Sequence, residues 1–271
     1  MPELTGHLEL TCAPADAGRS RISRQSVSVP FHFSKPYWNG RTLVAQVVNP
    51  TAGLFAGDTL RSEITVEPGA SFRVTTPSAS RVHTMPNGRA EVRQTFRVCK
   101  NAWFDYSPAM LIPQKQSRIR QSTRIEVEAG GELFFREILA PGRVAHGEIF
   151  QYEEIDWECD LIYGGHLTAR ERYFLRPSDA SIAPLQTPFP AAFFASCYLI
   201  TDRCPADHDC WKKIRGLNSE KVRLGVTPLI RAGWSIKILT EDSLTMATTC
   251  NQLRQELSDP LPELTEAERF Q

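Results

Sequence analysis

Short runs of Val, Ile, Phe and Thr, separated by turn residues at short intervals, dominate the first 175 residues of the chain. Runs of this kind are typical of β-strands. The strands predicted from them span residues 42–48, 60–66, 71–76, 90–98, 118–127 and 132–139. No segment before residue 200 shows a convincing helical stripe of apolar residues, so the pattern disfavours a doubly wound α/β fold.

Polar residues interrupt the apolar face of two of these strands. In residues 118–127 apolar residues alternate with charged ones, and Gln121 and Thr123 share the phase of the apolar set. Gln94 likewise shares the phase of the apolar residues within residues 90–98. Polar residues on an inner face need hydrogen-bond partners or water. Either these strands are half exposed and the phase means little, or the interior is polar and wet, with a cavity or a passage.

A weak internal repeat marks three strand ends, at residues 66–72, 98–104 and 127–133. Each copy ends a strand on Val, turns through Gly or Asn, and begins a new strand on an aromatic residue or Leu. The copies start 32 and 29 residues apart, a spacing that suits stacked β units or solenoid turns. A β-meander in an ordinary sandwich gives the same pattern. We therefore expect a mainly β, β-helix-like stack of strands, with the sandwich as the alternative.

The character of the chain changes at about residue 176, where a Pro-rich connector begins. The elements predicted after it are a strand at 193–201, a short helix within 207–218 and a hairpin of 221–229 and 234–239. We expect one domain over residues 1–271, with a β-rich body in 1–175. Residues 176–271 would add the connector, further strands and a C-terminal helix, so that the few helices are mostly C-terminal.

The closing helix is predicted from apolar residues at helical spacing. They are Leu244, Ala247, Cys250, Leu253 and Leu257. Asp242 or Ser243 is the expected N-cap, because a short polar side chain there accepts a hydrogen bond from a backbone N–H group of the first turn. Pro260 and Pro262 end the helix.

Charge and composition exclude several classes of partner. Lys plus Arg and Asp plus Glu both number 31, so the formal net charge is zero and the pI is about 7.0. A nucleic-acid binder or a polybasic membrane-surface protein normally carries a basic surplus. No apolar run approaches the roughly 20 residues that span a bilayer. We therefore expect neither a nucleic acid nor a membrane as a partner.

Cysteine usage and the first residues bear on the compartment. The seven cysteines are odd in number and scattered, with no C-x-x-C pair, which favours reduced thiols over a disulfide framework. The first residues show neither the basic region nor the apolar core of a signal peptide. Both observations predict a cytoplasmic location.

The chain lacks the common catalytic and phosphate-binding motifs. It has no G-x-S-x-G, and the Gly-rich residues 53–58 lack the Gly-Lys-Ser/Thr of a P-loop. A metal site remains an alternative, because Cys204, His208 and Cys210 lie within seven residues and thiolate and imidazole groups bind Zn or Ni. Their spacing matches no standard zinc finger, and a short polar loop uses the same residue types.

Two acidic residues are notable by their position. Asp58 follows the Gly-rich turn and opens a strand, where an Asp often caps the turn by accepting a hydrogen bond from a backbone N–H group. Glu137 lies in a run that is apolar on both faces, so we expect it to be buried. A buried carboxylate needs a cation or hydrogen-bond donors. Arg136 or Arg143 is the expected partner if Glu137 has a structural role.

An ordered series of short motifs resembles the UreD (UreH) family of urease accessory proteins. The motifs lie at residues 49–58, 66–77, 79–82, 94–95, 112–114, 137–143 and 147–150. The first reads Asn-Pro-Thr-Ala-Gly-Leu-Phe-Ala-Gly-Asp, close to the family's N-P-x-G-G and G-D. Order and spacing hold from about residue 5 to 175, and the last third matches loosely. The chain departs from the family's usual residues at Arg81, Lys115 and Pro141.

The resemblance implies a nonenzymatic scaffold or chaperone. The family helps insert nickel into apo-urease, together with the accessory proteins UreF and UreG, of which UreG is a GTPase. It implies a β-helix-like stack of strands with a few helices, and an internal water-filled passage for nickel. Such a passage would explain why the polar residues Gln94, Gln121 and Thr123 share the phase of the apolar residues on their strands. No tightly bound cofactor is implied, only Ni²⁺ in transit.

Position in the family motifs selects the candidate residues of the nickel passage. They are Asp58, Gln114 and Glu137, with Glu171 as a weaker fourth candidate. Arg81 would tune the electrostatic potential of the passage or form an ion pair with a carboxylate. Carboxylates, amides and water exchange nickel more readily than a Cys/His cage does. This set is therefore expected to suit transit rather than storage.

Two other functions remain open for the sequence. A β-helical carbohydrate-active enzyme uses paired carboxylates and aromatic residues along a groove. The aromatic residues available for a groove are Tyr37, Trp38, Trp103, Tyr106 and Trp157. Such enzymes are usually secreted, which the lack of a signal peptide and the free thiols disfavour. The second alternative is a pure protein-interaction scaffold through which no metal passes.

Overall fold

The computed structural model describes residues 4–48 and 53–265, and it is mainly β. The strands are β1 (Thr5–Pro14), β2 (Ser20–Val27), β3 (His32–Phe33), β4 (Tyr37–Asn39), β5 (Thr42–Val48), β6 (Thr59–Val66), β7 (Ser71–Thr75), β8 (Ser80–Val82), β9 (Ala90–Val98), β10 (Trp103–Ser107), β11 (Leu111–Pro113), β12 (Arg118–Val127), β13 (Glu132–Leu139), β14 (Glu154–Tyr163), β15 (His166–Leu175), β16 (Phe193–Ile200), β17 (Val222–Pro228) and β18 (Trp234–Thr240). The α-helices are α1 (Ala183–Gln186), α2 (Cys210–Arg215) and α3 (Ser243–Ser258).

The strands form two sheets that face each other. In the first sheet, sheet I, the order is β15-β14-β12-β9-β6-β1-β2. In the second, sheet II, the main path is β17-β18-β16-β13-β10-β7-β5-β3. The strands β6, β9, β12 and β14 run parallel in sheet I, and β5, β7, β10 and β13 run parallel in sheet II. The chain passes from one sheet to the other and back, which makes a β-solenoid of about 4 turns.

The internal repeat of the sequence corresponds to the turns of the solenoid. In each copy the residue three positions after Val has a positive φ: Gly69 (79°), Asn101 (59°) and Gly130 (83°). Gly and Asn are the residues that adopt this left-handed conformation most readily. Each turn is closed by a backbone hydrogen bond of 2.9–3.1 Å, for example from Ala102 N to Cys99 O. Three equivalent turns therefore send the chain from sheet I to sheet II.

Most predicted strands are confirmed within one residue at either end. The sandwich alternative is wrong, because the central strands of each sheet are parallel and come from successive repeats rather than from hairpins. A parallel pair needs a crossover connection, and here the strand of the opposite sheet supplies it. The prediction of stacked strands with few helices, the longest of them C-terminal, is confirmed.

The C-terminal elements form a layer on the outer side of sheet II. The inter-sheet core is built around residues such as Phe96 and Phe104, whereas α2 and α3 pack with β16 and β18 in a second apolar cluster. Asp242 is the N-cap of α3, since its Oδ1 accepts a hydrogen bond of 2.9 Å from Thr245 N. In the described part of the chain, no helix has the length and apolarity needed to cross a bilayer.

The predicted apolar stripe of α3 is partly wrong. Leu244 is 75% exposed and Ala247 is also exposed, while Met246 is buried. Arg254 also lies on the buried face, and its Nη2 is 2.8 Å from Oδ2 of Asp105 on β10. Burial raises the pKa of Asp105, but Arg254 and Arg73 outweigh it and hold that pKa below its usual range. This buried ion pair joins α3 to sheet II.

Candidate functional site

Strand register gathers polar side chains on the inner face of sheet I. Gln94 of β9 lies beside Thr123 of β12, and Gln121 of β12 lies beside Trp157 of β14. Gln94, Gln121 and Thr123 are all buried. The interpretation of these strands as half exposed is therefore wrong. The chain has instead placed polar groups inside the solenoid, on two neighbouring cross-strand rows.

Glu137 of β13 reaches these side chains from sheet II. Its Oε1 accepts hydrogen bonds from Gln94 Nε2 at 3.0 Å and from Gln121 Nε2 at 2.5 Å. Its Oε2 accepts one from Trp157 Nε1 at 3.1 Å. Gln94 also donates to Thr123 Oγ1 and accepts from the Tyr106 hydroxyl. These six residues are called the Glu137 cluster below.

The Glu137 carboxyl is buried and its hydrogen-bond partners are neutral. In the described residues it takes part in no ion pair, and the predicted pairing with Arg136 or Arg143 is wrong. Arg143 binds Glu148 instead, with Nε 2.8 Å from Oε2, and Arg136 alternates with Glu137 and so points to the opposite face of β13. The prediction that Glu137 is buried is confirmed.

Burial without a cation changes the acidity of Glu137. Desolvation raises its pKa to about 7, against the hydrogen bonds from Gln94, Gln121 and Trp157, which lower it. The charge of Glu171 raises it further. The carboxyl therefore exchanges its proton near neutral pH, where an ordinary Glu is ionised.

A cavity of about 310 Å³ lies between the sheets next to the Glu137 cluster. Its wall is largely apolar, with side chains such as Leu60 and Val74, and its polar residues include Gln94, Gln121, Tyr106 and Glu137. The residues that line it also include Gly53, Leu54, Ser78 and Arg81. Because Ser78 and Arg81 are exposed, the cavity reaches the surface on that side.

Asp58 stabilises the turn at the end of the first family motif. Its Oδ2 accepts a hydrogen bond from Phe55 N at 2.8 Å and its Oδ1 accepts one from Leu4 N at 3.2 Å. The side chain is 5% exposed, and both of its oxygens are used by backbone groups. Residues 49–52 of the motif lie outside the described residues. The passage role of Asp58 stays a prediction.

Arg81 lies on β8, and Gln114 directly follows its neighbour β11. Gln114 is buried in the turn after β11, where its backbone N–H donates to the Val82 carbonyl at 2.9 Å. Arg81 is exposed at the cavity surface, and its carbonyl accepts from Leu54 N at 2.8 Å. The cavity lining includes Arg81 and does not include Gln114 among the described residues. The structure thus brings Glu137 and Arg81 to one cavity.

Glu171 lies on the inner side of β15, across from sheet II. Lys237 Nζ is 2.7 Å from both of its carboxylate oxygens, and Ser196 Oγ donates to Oε2 at 2.6 Å. The family motifs indicate Glu171 but neither Lys237 nor Ser196. The alternation of Lys237 with buried Ile236 and Ile238 is the one signal that places Lys237 on the opposite face of β18, toward Glu171.

The Cys204–Cys210 segment packs against the helical layer. Both thiols are buried, and His208 Nδ1 accepts a hydrogen bond from Cys210 N at 3.2 Å. Across the described residues, no three or more His, Cys, Asp and Glu side chains form a group able to hold a metal, and these three are no exception. All seven cysteines of the chain are free thiols.

The aromatic residues proposed for a carbohydrate groove do not share a surface. Tyr37 and Trp38 are about half exposed on β4, at 47% and 48%, whereas Trp103 and Trp157 are buried in the core. Trp157 uses its Nε1 to hold Glu137. The fold and the cavity define instead a β-solenoid that encloses a carboxyl-bearing chamber between its two sheets.

Comparison with known proteins assigns this solenoid to a family. The family described as UreD urease accessory protein matches residues 4–269. A urease accessory protein UreD from Opitutus terrae is 40% identical over 265 residues, 97% of this chain and 97% of that protein. Another from Deinococcus radiodurans is 34% identical over 184 residues, 66% of this chain and 65% of that protein. One from Acetivibrio thermocellus is 32% identical over 167 residues, 61% and 64% of the two chains.

The chain belongs to the UreD urease accessory protein family. Members of this family are non-catalytic chaperones of urease maturation. The resemblance found in the sequence is thereby confirmed, and the carbohydrate-active enzyme is excluded.

The raised pKa of Glu137 predicts a pH-dependent stability. Because the folded pKa of about 7 lies above the ordinary value of 4.5, the native state holds an extra proton between these pH values, and the stability falls as the pH rises from about 4.5 to about 7. The loss amounts to about 3 kcal/mol at most. Glu137→Gln keeps the shape without the charge, so its urea-unfolding free energy should stay flat between pH 5.5 and 8.5.

The matched control is Glu63→Gln, on the exposed face of β6, which should keep the wild-type pH profile. If Glu137→Gln loses as much stability with rising pH as the wild type does, the carboxyl is not the titrating group.

The hydrogen bonds of Asp58 predict that it is a structural residue of its turn. Asp58→Ala leaves Phe55 N and Leu4 N without their acceptor and should cost about 1–3 kcal/mol in thermal or urea unfolding. Asp58→Asn keeps one acceptor oxygen, so its free energy of unfolding should lie between those of the wild type and Asp58→Ala. An Asp58→Ala variant as stable as the wild type would contradict the turn role.

Proposed function

We propose that this chain acts in the nickel-insertion step of urease maturation, together with UreF, UreG and the urease apoenzyme, and that the Glu137 cavity is part of the path of Ni²⁺. Family membership supports the step. The single observation that carries the path is a buried carboxyl without a cation partner at the wall of an internal cavity.

The chemistry of the cluster suits a divalent cation in transit. An ionised carboxylate between the sheets is costly until a cation compensates its charge. One carboxylate with amide and hydroxyl oxygens holds Ni²⁺ more weakly than a set of thiolates and imidazoles. The ion would therefore be attracted into the cavity and released again, as passage requires.

The size of the cavity lets the ion keep much of its hydration. At about 30 Å³ of liquid volume per water molecule, 310 Å³ corresponds to roughly ten waters. Apolar side chains offer the ion no ligands, so the ion would bind only at the polar residues of the cavity wall. Because the Glu137 carboxyl holds a proton near pH 7, entry of the cation releases that proton and should be favoured by higher pH.

Co-expression with the urease genes tests this proposal. Glu137→Gln and Glu137→Ala should lower urease activation several-fold, because the cavity wall loses the carboxylate that compensates the charge of a cation, while capture of UreF and UreG by the tagged variants stays at the wild-type level. Glu63→Gln should activate urease as the wild type does.

A pure interaction scaffold gives the opposite result. If nickel travels outside this chain, Glu137→Gln activates urease fully whenever it binds its partners normally. Full activation by both Glu137 variants would remove the cavity from the nickel path, and loss of partner capture would show a folding effect instead.

A further inference from the structure

Lys237 occupies a cage of cation-binding groups at the last turn of the solenoid. Its Nζ lies 2.7 Å from both oxygens of Glu171, 2.5 Å from Ser196 Oγ and 3.4 Å from Tyr198 OH. It also lies 4.6 Å from the centre of the Tyr198 ring. A carboxylate, two hydroxyl oxygens and an aromatic face thus surround one ammonium group, and all of them are groups that attract a cation.

This cage lies next to the Glu137 cluster in the interior of the molecule. In sheet II, Glu137 of β13 is paired with Ser196 of β16, and Ser196 is paired with Lys237 of β18. Neighbouring strands are about 5 Å apart, so the three side chains form one continuous polar row. Glu171 reaches this row from sheet I, and its charge acts on Glu137.

Exposure shows that the cage is the solvent end of this row. The Lys237 side chain is 35% exposed, the Glu171 side chain 17%, and Glu137 only 7%. The row therefore runs from a buried carboxyl to a half-exposed ion pair. A cation that moves along it in either direction meets Glu171, whose two oxygens the ammonium already holds.

We propose that Lys237 is an exchangeable tethered cation, which holds Glu171 until a divalent metal ion displaces it and which thereby controls access to the interior row. Oxygen donors of this kind bind ammonium groups and divalent cations alike. When the metal binds Glu171, the flexible four-carbon stem of Lys237 moves its ammonium group into solvent. Only the choice of Ni²⁺ as the ion rests on the proposed function.

Nickel binding by purified variants tests this directly, with equilibrium dialysis against NiCl₂. Lys237→Met removes the ammonium and keeps the length of the side chain, so it should gain one Ni²⁺ site per chain, about tenfold or more tighter than any wild-type binding. The double variant Glu171→Gln with Lys237→Met should lose the gained site. Lys237→Arg keeps the cation and should bind like the wild type.

The matched control is Lys221→Met, which removes the ammonium from an exposed Lys–Glu pair, with Glu241, on the same hairpin. It should gain no site. If Lys237→Met binds no more nickel than the wild type, or if the double variant binds as much as Lys237→Met, the inference is wrong.

A measurement on the wild-type protein covers the case in which Lys237→Met does not fold. Acetylation with an N-hydroxysuccinimide ester, read by mass spectrometry of the peptides, reports how free each lysine ammonium is. Saturating NiCl₂ should raise the acetylation rate of Lys237 several-fold and leave that of Lys221 unchanged. An unchanged rate at Lys237 would contradict the exchange.

The inference and the proposed function fail in different ways. If Lys237→Met gains the nickel site but both Glu137 variants activate urease fully, the lysine exchange stands and the nickel path through the cavity falls. If the Glu137 variants lose activation and Lys237→Met gains no site, the path stands and Lys237 is a fixed structural partner of Glu171.

Discussion

A carboxyl group buried between two sheets without a cation is the constraint around which the interior of this molecule is arranged. Glu137 is held by the neutral donors of Gln94, Gln121 and Trp157, which come from three successive strands of sheet I. Neutral donors partly offset the cost of burial and leave the pKa of the carboxyl near 7. A charged partner would have lowered that pKa.

The solenoid explains how such an arrangement is held in place. Parallel strands in register put Gln94 beside Thr123 and Gln121 beside Trp157, and a shift by one residue would turn all of them to the outer face. The repeated turns with a left-handed Gly or Asn fix that register from one turn to the next. The fold thus acts on function through register, and the chaperone role of the family needs no catalytic residue.

Local signals in the sequence predicted the solenoid turns and the buried polar residues well. Alternation put Gln94, Gln121 and Thr123 in phase with the apolar residues but left open whether that face is buried, whereas two apolar faces identified Glu137 as buried. Pairing across distant segments was beyond such reasoning. Glu171 and Lys237 are 66 residues apart, and the burial of Arg254 depends on Asp105, 149 residues away. The predicted stripe of α3 therefore did not include Arg254, and Arg143 was proposed as a partner of Glu137 although it pairs with Glu148.

The acidity of Glu137 itself tests the account most directly. Carboxyl carbons labelled with ¹³C in glutamate can be titrated by NMR, and the resonance of Glu137 is the one that disappears in Glu137→Gln. The account predicts a midpoint near pH 7 that moves to lower pH when Ni²⁺ is added, since cation and proton compete for the same oxygens. A midpoint near the ordinary glutamate value of 4.5, unmoved by nickel, would contradict it.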